Sequence, residues 1–349
     1  MVDVSVLTPV RNEAGVIRKT AATITGQRFD GTVEYLLIEG RSDDATRAIL
    51  DELAAADPRI RVLDNPRGDL AAALAVGLPA ARGEFVAKMD AHTFFEPTYL
   101  QAGIDRLRRG DVHWVSGPPI PHGIDRGSRR VAIALESWLG VGGSMKWPRS
   151  FDGVHEELEL DTGVFSGVWR RSVLEGIGGW DVAWPANEDA ELASRFFAAG
   201  ERIVCVRAMG ARYVPRGTLR GLARQYARYG YYRIKTARRH PASVRRSHAL
   251  PPALALALAV AAVGGRRGRL LAGPALLAYG AAVTATCARL SGKAEPKDVA
   301  LLPGVFGAMH LGYGVGMLAG MARFGVPAAA LVRLARPPAR SRPPSTTDA

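Results

Sequence analysis

An aspartate and a histidine stand two residues apart where a short apolar stretch of the sequence ends. The stretch Phe85–Met89 predicts a buried strand, and Asp90 and His92 follow it directly. In extended backbone, residues i and i+2 point to the same side, so both side chains could reach one divalent ion. A carboxylate suits Mg²⁺ or Mn²⁺, and the imidazole shifts the preference towards Mn²⁺. The alternative is that Asp90 caps a turn and His92 is an ordinary loop residue.

A pair of acids opens a helix that the sequence predicts over Asp189–Ala199. A carboxylate that is held at the start of a helix and faces a cleft could act as a general base. Trp180 and Trp184 would line such a cleft, where aromatic faces suit a sugar ring, so we expect both of them and Glu188 on the acceptor side. The alternative is that Glu188 and Asp189 only complement the helix dipole.

Two further acids, Glu39 and Asp44, flank a turn after the predicted strand Tyr35–Glu39. A carboxylate at this place can accept hydrogen bonds from ribose hydroxyls or from the edge of a base. The alternative is that an acid of this turn caps the helix that follows, through Asp43 or Asp44.

A basic, tyrosine-rich helix is predicted over Leu222–Thr236, and Arg224, Gln225 and Arg228 fall within about one of its turns. Guanidinium groups bind phosphate oxygens well, so this turn could hold a diphosphate. The alternative is a helix face that lies on a membrane surface, which the nearby tyrosines would also fit.

Strands and helices alternate along the first part of the chain, which is typical of βαβ units and a parallel sheet. Ligands of such α/β sheets bind at the carboxyl ends of the strands. Polar clusters fall at these ends, namely Arg11–Glu13, Glu39–Asp44 and Asp90–His92. The predicted strands are Val4–Thr8, Tyr35–Glu39, Ile60–Leu63, Phe85–Met89 and Val112–Ser116, and the helices between them are Ala14–Thr25, Asp43–Ala55, Asp69–Ala80 and Pro97–Arg108.

The last part of the sequence is rich in apolar residues and predicts a membrane domain. Its apolar segments are Ala249–Val263, Leu270–Leu290 and Val299–Phe324. The second and the third are long enough to cross a bilayer and the first is marginal, so both two and three spans are open, with three slightly preferred. In the third segment, small residues recur every four positions from Gly304 to Gly320, a spacing that lets membrane helices approach closely.

The charge of the sequence also favours a membrane. The net charge is +13, and a basic cluster from Arg233 to Arg246 precedes the first apolar segment. Such clusters attract anionic lipid and mark the cytoplasmic side, which we favour over nucleic acid as the partner. The start of the chain, Met1–Val10, lacks the features of a signal peptide. We therefore expect a multi-pass protein of the cell membrane whose N-terminal domain is cytoplasmic.

In their order along the chain, these motifs resemble those of the inverting, nucleotide-sugar-dependent glycosyltransferases of family 2, which have the GT-A fold. Within that family, the sequence is similar to membrane-bound bacterial enzymes of the succinoglycan-biosynthesis type from about Val4 to Tyr232, and more loosely beyond. The resemblance rests on Thr8-Pro9-Val10-Arg11-Asn12-Glu13, Glu39-Gly40-Arg41-Ser42-Asp43-Asp44-Ala45-Thr46, Ala81-Arg82-Gly83-Glu84, Asp90-Ala91-His92, Gly178-Gly179-Trp180-Asp181, Asn187-Glu188-Asp189-Ala190-Glu191-Leu192 and Gln225-Tyr226-Ala227-Arg228-Tyr229.

The resemblance implies a role for individual residues. It implies that Asp189 is the catalytic base and that Asp90 and His92 hold a divalent metal, Mg²⁺ or Mn²⁺. The residues it assigns to the nucleotide sugar are Pro9, Arg11, Glu13, Glu39, Asp90, Gln225 and Arg228. Glu39 and His92 stand where aspartate is usual, and Tyr229 replaces the tryptophan of processive members, which favours transfer of a single sugar.

The implied reaction moves a sugar from a nucleotide-diphospho-sugar to a polyprenyl-diphosphate-linked saccharide with inversion, in exopolysaccharide or cell-envelope glycan synthesis. One alternative is a dinucleotide-dependent membrane oxidoreductase, but no Gly-x-Gly-x-x-Gly follows the first strand. Another is a non-catalytic basic membrane scaffold, which would not need acids at the strand ends. We expect a GT-A catalytic domain over 1–232, a basic juxtamembrane segment over 233–248, a membrane domain over 249–335 and a disordered tail over 336–349.

Overall fold

The computed structural model of the protein describes residues 2–151 and 156–335. The tail predicted to be disordered, 336–349, lies outside the described residues. The strands are β1 (Val4–Val10), β2 (Val33–Glu39), β3 (Ile60–Asp64), β4 (Phe85–Lys88), β5 (Thr93–Phe95), β6 (Trp114–Ser116), β7 (Pro119–Pro121), β8 (Glu157–Glu159), β9 (Gly167–Arg170), β10 (Ile203–Val206) and β11 (Ala211–Tyr213). The α-helices are α1 (Ile17–Thr25), α2 (Thr46–Ala56), α3 (Leu70–Ala80), α4 (Tyr99–Arg108), α5 (Arg126–Leu135), α6 (Trp138–Val141), α7 (Arg171–Gly176), α8 (Glu188–Ala198), α9 (Leu219–Arg239), α10 (Leu250–Val263), α11 (Gly265–Leu290), α12 (Pro296–Val299), α13 (Leu302–Phe324) and α14 (Ala328–Ala335).

The main sheet has eight strands in the order β3-β2-β1-β4-β9-β6-β10-β8. Strands β1 to β4 run parallel, as the alternating pattern predicted. Strand β9 lies antiparallel between β4 and β6, and β8 pairs antiparallel with β10 at the edge. The alternating pattern predicted a parallel sheet and did not indicate these antiparallel strands. Strands β8 and β9 have three and four residues, and no alternating apolar pattern marks them in the sequence.

The parallel strands β1 and β2 are buried on both faces, which is why their sequences are almost continuous apolar runs. One face of the sheet packs against α1, α2 and α4 through side chains such as Ile17, Leu50 and Leu100. The other face packs against α3 and α8 through side chains such as Leu74 and Phe196. This two-sided core holds the carboxyl ends of β1, β2 and β4 in fixed positions.

A smaller sheet with the order β5-β11-β7 lies beside the end of β4. Strand β5 begins at Thr93, directly after His92, and pairs with β11, which ends at Tyr213. The edge of the Tyr213 ring meets the His92 ring with 5.9 Å between the ring centroids. This small sheet was not predicted from the sequence, and it fixes the loop that carries Asp90 and His92.

Helix α9 runs across the domain boundary that the sequence predicted between 232 and 233. The N-terminal domain and the juxtamembrane segment therefore share one helix instead of meeting at a linker. Beyond it, α10 and α11 form a helical hairpin whose turn lies at Gly264 and Gly265. Arg266, Arg267 and Arg269 lie between the first two predicted apolar segments, and they belong to the first turns of α11. The helices of this part include three that are long and apolar enough to cross a membrane.

Candidate active site

A cavity of about 730 Å³ opens beside the end of β4, and six of the twelve predicted site residues line it. The catalytic and metal candidates Asp90, His92, Glu188 and Asp189 lie on its wall, as do Gln225 and Arg228 from α9. Other side chains of the lining include Lys88, Leu135, Lys146, Phe165, Tyr213, Arg216, Leu222, Arg224, Tyr229, Arg233 and Tyr313. The cavity therefore extends from the end of β4, past α9, to α13.

A buried lysine that the sequence analysis did not single out links two of the acids. The Nζ atom of Lys88 lies 3.3 Å from Oδ1 of Asp90 and 3.5 Å from Oε1 of Glu188. It also donates a hydrogen bond to the carbonyl oxygen of Phe165. Lys88 ends β4 two residues before Asp90, so both side chains point to the same side.

The protonation of this group follows from its burial. Burial lowers the pKa of Lys88, but the charges of Asp90, Glu188 and Asp189 outweigh it and hold the pKa above its ordinary value of 10.5. Burial also raises the pKa of Glu188 from 4.5 to about 7, although the Lys88 ammonium opposes the rise. Glu188 can therefore exchange a proton near neutral pH, whereas Lys88 stays charged.

Asp189 lies in the first turn of α8 with its carboxylate on the cavity wall. Its Oδ2 atom is 3.8 Å from Nζ of Lys146, and burial lowers the pKa of that lysine. The start of α8 is fixed to α9 because Nδ2 of Asn187 donates to the carbonyl oxygen of Tyr229 over 2.8 Å. Asn187 has a φ of 61°, a left-handed conformation that asparagine tolerates better than most residues. The acid is thus held rigidly at a helix start that faces the cavity.

Asp90 and His92 both line the cavity. The backbone between them is a turn, in which the N–H of Thr93 donates to the carbonyl oxygen of Asp90 over 3.1 Å, and not the extended segment that the two-residue spacing assumed. Nδ1 of His92 is 3.6 Å from Oε1 of Glu13, and burial raises the pKa of Glu13. Within residues 2–151 and 156–335, no group of three or more His, Cys, Asp or Glu side chains is arranged to hold a metal ion. A cation at Asp90 and His92 would therefore take its other ligands from a bound substrate or from water.

The loops after β1 and β2 hold one another in place. The backbone N–H of Asn12 donates to Oγ of Ser42 over 3.0 Å, and that of Glu13 donates to Oγ1 of Thr46 over 2.9 Å. In return, the backbone N–H of Asp43 donates to Oδ1 of Asn12 over 3.0 Å. Because Glu13 also faces His92, the structure joins the polar clusters after β1, β2 and β4.

Three of the predicted nucleotide contacts, Glu39, Pro9 and Arg11, are not among the residues that line the cavity. The buried carboxylate of Glu39 accepts hydrogen bonds from the backbone N–H of Arg41 over 3.1 Å and of Ser42 over 2.6 Å, so it caps its own turn. Nη1 of Arg11 donates to the carbonyl oxygen of Gly68 over 2.9 Å. Pro9 is half-buried at the end of β1.

The two tryptophans assigned to the acceptor side lie elsewhere, so that expectation is corrected. Trp180 is buried in the core, where its ring meets the ring of Trp169 at 5.3 Å. Trp184 is also buried, and its Nε1 donates to Oγ1 of Thr236 on α9 over 3.0 Å. Nζ of Lys235 lies 4.0 Å from the centroid of the Trp184 ring. Both aromatic faces are covered by protein groups and are unable to receive a sugar.

Helix α9 contributes the polar middle of the cavity. Nη2 of Arg228 donates to the carbonyl oxygen of Pro185 over 2.8 Å, and Nε2 of Gln225 donates to the hydroxyl of Tyr229 over 3.1 Å. Arg224 and Arg233 line the cavity on the same helix, and Nε of Arg233 donates to the hydroxyl of Tyr313 on α13 over 3.2 Å. Positive charge therefore lies between the acids and α13.

Three basic lining residues were missed by the sequence analysis, namely Lys88, Lys146 and Arg216. A signal existed for Lys88, because a lysine inside the apolar strand before Asp90 needs a buried counter-ion. Lys146 and Arg216 lie in irregular segments rich in Gly, Pro and Trp, where no spacing relates them to the acids.

Comparison with known proteins identifies glycosyltransferases as similar proteins. Residues 5–173 match glycosyl transferase family 2, a range that contains Asp90 and His92 and ends before Asp189. The chain is 29% identical to the succinoglycan biosynthesis protein ExoA of Rhizobium meliloti over 252 residues, which cover 72% of this chain and 74% of that one. It is 28% identical to the pre-mycofactocin glycosyltransferase of Mycobacterium tuberculosis over 244 residues, covering 68% of this chain and 48% of that one.

The fold also matches a solved structure, the mannosyltransferase PcManGT from Pyrobaculum calidifontis in complex with GDP-Man and Mn²⁺. The TM-score is 0.57 at 20% sequence identity, and the match covers 91% of this chain and 86% of that chain. The expected GT-A-like fold is thereby confirmed. These matches remove the oxidoreductase and the scaffold as alternatives. The chain carries a glycosyltransferase domain of family 2 and is a glycosyltransferase.

Proposed function

We propose that the protein transfers one sugar from a nucleotide-diphospho-sugar to a saccharide carried on a polyprenyl diphosphate, with inversion at the anomeric carbon. The single observation that supports this best is that the charge of the lining side chains changes along the cavity. One end carries Asp90 and Asp189, and the other reaches Tyr313 on α13, with arginines between them. A donor could occupy the acidic end while the lipid-carried acceptor enters from the side of α13.

Asp189 is the proposed general base. It would accept the proton of the acceptor hydroxyl as that oxygen forms its bond to the anomeric carbon. The bond from that carbon to the nucleotide diphosphate breaks on the opposite face, so a single displacement inverts the configuration. No covalent intermediate with the enzyme is needed. Lys146, 3.8 Å from the Asp189 carboxylate, would keep it directed into the cavity.

Asp90 and His92 are the proposed holders of a divalent cation, Mg²⁺ or Mn²⁺. A carboxylate and an imidazole on one cavity wall fit such an ion if diphosphate oxygens supply the remaining ligands. A bound cation would neutralise charge on the leaving diphosphate. The proposed contacts of the nucleotide remain Pro9, Arg11, Glu13 and Glu39. They lie at the ends of β1 and β2 or in the loop after β1.

The arginines of α9 divide between the two substrates in this proposal. Gln225 and Arg228, nearest the start of α8, are assigned to the donor. Arg224 and Arg233 are assigned to the diphosphate of the acceptor, because Arg233 contacts Tyr313 on α13. The lining of the same cavity also includes the apolar side chains of Leu135 and Leu222. The catalytic domain is proposed to face the cytoplasm, where the basic segment after 232 would meet anionic lipid.

The test compares matched acceptors in detergent at equal concentration, one carried on a polyprenyl diphosphate and one as free saccharide. A panel of nucleotide sugars identifies the donor through release of nucleotide diphosphate, and the anomeric configuration of the product is read by NMR. Preference for the lipid-carried acceptor and an inverted product are expected. Equal efficiency with both acceptors would contradict the lipid carrier, and a retained configuration would contradict the single displacement.

A pair of variants tests the arginine assignment. Arg233→Gln should raise KM for the lipid-carried acceptor and leave KM for the donor unchanged. Arg220→Gln is the matched control, since Arg220 is exposed on the same helix and is not part of the cavity lining. The assignment fails if Arg233→Gln raises KM for the donor alone or if the control behaves in the same way.

A further inference from the structure

We infer that α13 does not cross the membrane and that α10 and α11 cross it together as a hairpin. Both ends of the membrane part then lie on the side of the catalytic domain. The inference requires that the protein is bound to a bilayer, and it does not depend on the reaction proposed above. It differs from both arrangements that the sequence left open, since each of them used the segment of α13 as a span.

Helix α13 lies along α9 in direct backbone contact. Its glycines at four-residue spacing face α9, because a Cβ atom added at Gly312, Gly316 or Gly320 would lie 2.6 Å from the carbonyl oxygen of Ala223, 2.0 Å from that of Ala227 or 2.6 Å from that of Tyr231. Farther along, the ring of Phe324 lies 4.9 Å from the ring of Tyr231. The two helices therefore run parallel for most of their length. The four-residue spacing of small residues predicted contact between membrane helices, and in the structure it allows the close approach of α13 to α9.

Helix α9 is unable to enter hydrocarbon. It carries Arg220, Arg224, Arg228, Arg233, Lys235, Arg238 and Arg239 and no acid. Nη1 of Arg239 pairs with Asp181 over 2.9 Å, and Nζ of Lys235 donates to the carbonyl oxygen of Ala183 over 2.5 Å, so α9 is fastened to the catalytic domain. Charged side chains are costly at the centre of a bilayer. A path for α13 across the membrane would carry α9 and its charges across as well.

Both ends of the α10–α11 hairpin lie against the catalytic domain. Before α10, Arg245 pairs with Asp161. After α11, Nζ of Lys293 lies 2.7 Å from the carboxylate of Glu136. A second pair follows, in which Nε of Arg130 on α5 lies 2.7 Å from Oδ1 of Asp298 on α12. The chain thus leaves the catalytic domain at α10 and returns to it after α11, so the hairpin crosses the bilayer an even number of times or not at all.

The hairpin presents the surface that a bilayer would cover. Each of the three candidate spans contains an apolar stretch of 18 residues. The buried share of this stretch is 6% in the first span, 17% in the second and 39% in the third, which contains α13. Leu270, Leu271 and Leu277 on α11 are 68%, 79% and 76% exposed. Helix α11 has 26 residues, and at 1.5 Å per residue its length of about 39 Å exceeds the ~30 Å of a hydrocarbon core.

The tip of the hairpin indicates that it crosses. Val263 is 87% exposed at the turn, and Arg266, Arg267 and Arg269 follow it. Because arginine is costly in hydrocarbon, these charges must end in a headgroup layer. In α11, 21 residues follow Arg269, from 270 to 290, a rise of about 32 Å that exceeds the ~30 Å core, so a tip inserted from the catalytic side reaches the opposite headgroups.

Single-cysteine labelling in sealed membrane vesicles tests the topology of the full chain. Cys205 and Cys287 are first replaced by alanine, and one cysteine is then placed at Ala199, Val263 or Val332, each of which is exposed. A membrane-impermeant maleimide should label Ala199→Cys and Val332→Cys from the same side and Val263→Cys from the other. Labelling of Val332→Cys from the side opposite to Ala199→Cys would overturn the inference. So would labelling of Val263→Cys from the side of Ala199→Cys.

A matched pair of substitutions tests the contact of α13 with α9. In Gly316→Ala the new Cβ would meet the backbone of α9 at 2.0 Å, whereas in Gly307→Ala it would find no atom within 4 Å. Gly316→Ala should lower the melting temperature and the transfer activity in detergent, and Gly307→Ala should lower neither. If α13 were a separate span away from α9, the two variants would behave alike, and that result would contradict the inference.

Discussion

Replacing Lys88 with methionine is expected to destabilise the protein by about 3–5 kcal/mol at pH 9, the usual cost of removing one partner of a buried ion pair. The Lys88 ammonium is 3.3 Å from Asp90 and 3.5 Å from Glu188. At an effective dielectric constant of about 20, each attraction is about 5 kcal/mol before desolvation is subtracted. Methionine has a similar shape without the charge, so the loss reports the missing charge more than a cavity.

The loss of stability should depend on pH because Glu188 titrates. Burial raises the pKa of Glu188 to about 7 while Lys88 opposes the rise, so the pKa rises further without Lys88. A carboxyl group whose pKa is higher in the folded than in the unfolded state favours folding at low pH, and this contribution is lost as the pH rises through the folded pKa. The destabilisation by Lys88→Met is therefore expected to be larger at pH 9 than at pH 5.

Thermal unfolding of the full chain in detergent measures both effects. At pH 9 we expect a fall in melting temperature on the order of 10 °C. Arg47→Met is the control, because it removes an exposed ion pair with Asp51 and should change the melting temperature little at either pH. A loss that is equal at both pH values would mean that Glu188 does not contribute to it. No loss at all would refute the ion-pair argument.

Three other substitutions test the remaining parts of the site. Asp90→Ala should abolish Mn²⁺-dependent binding of UDP or GDP in a thermal melt, and unchanged metal-dependent affinity would contradict its assignment. Asp189→Asn should leave donor binding nearly intact and lower turnover by roughly 10²–10⁴-fold, the usual contribution of a general base; near-normal turnover would reduce Asp189 to a helix-dipole acid. Glu188→Gln should raise the melting temperature at pH 9 and lose this gain towards pH 5, because it removes a buried charge that forms as the pH passes about 7; a gain that does not vary with pH would contradict this.

The sequence predicted the parts of the site that depend on the ends of parallel strands. Long apolar strands such as β1 and β2 are identified by composition, and the rule that ligands bind at their carboxyl ends indicated Glu13 and Asp90 as neighbours. Glu13 reaches His92 in the structure because the loops after β1 and β2 interlock. For the turn after β2, the sequence left open whether its acids bind a ligand or cap the following helix through Asp43 or Asp44. In the structure, Glu39 accepts two backbone hydrogen bonds within its own turn.

Other features depended on contacts between distant segments, for which a single sequence carries no signal. Trp180 and Trp184 precede the acids closely, so proximity along the chain suggested a shared cleft. In the fold, the Trp180 ring packs against Trp169 of the sheet, whereas Trp184 donates a hydrogen bond to Thr236 on α9. Two residues that are close together in the sequence therefore face different elements. Strand β9 escaped recognition for a related reason, since its four residues are ordered by pairing with β4 and β6 and not by their own pattern.

Helix α9 shows why the membrane part and the catalytic part could not be assigned separately. Residues on one side of it line the cavity, and the carbonyl oxygens of Ala223 and Ala227 on another side contact α13. A spacing of small residues predicts a close helix partner but does not identify that partner, so the glycines of α13 were equally consistent with a neighbour in the membrane. One helix of 21 residues carries both faces, so the cavity and α13 are joined by packing and not by a flexible linker. If the proposed function holds, an acceptor that reacts at Asp189 would have to carry its saccharide at a fixed height above its lipid, which a short glycan on a diphosphate would provide.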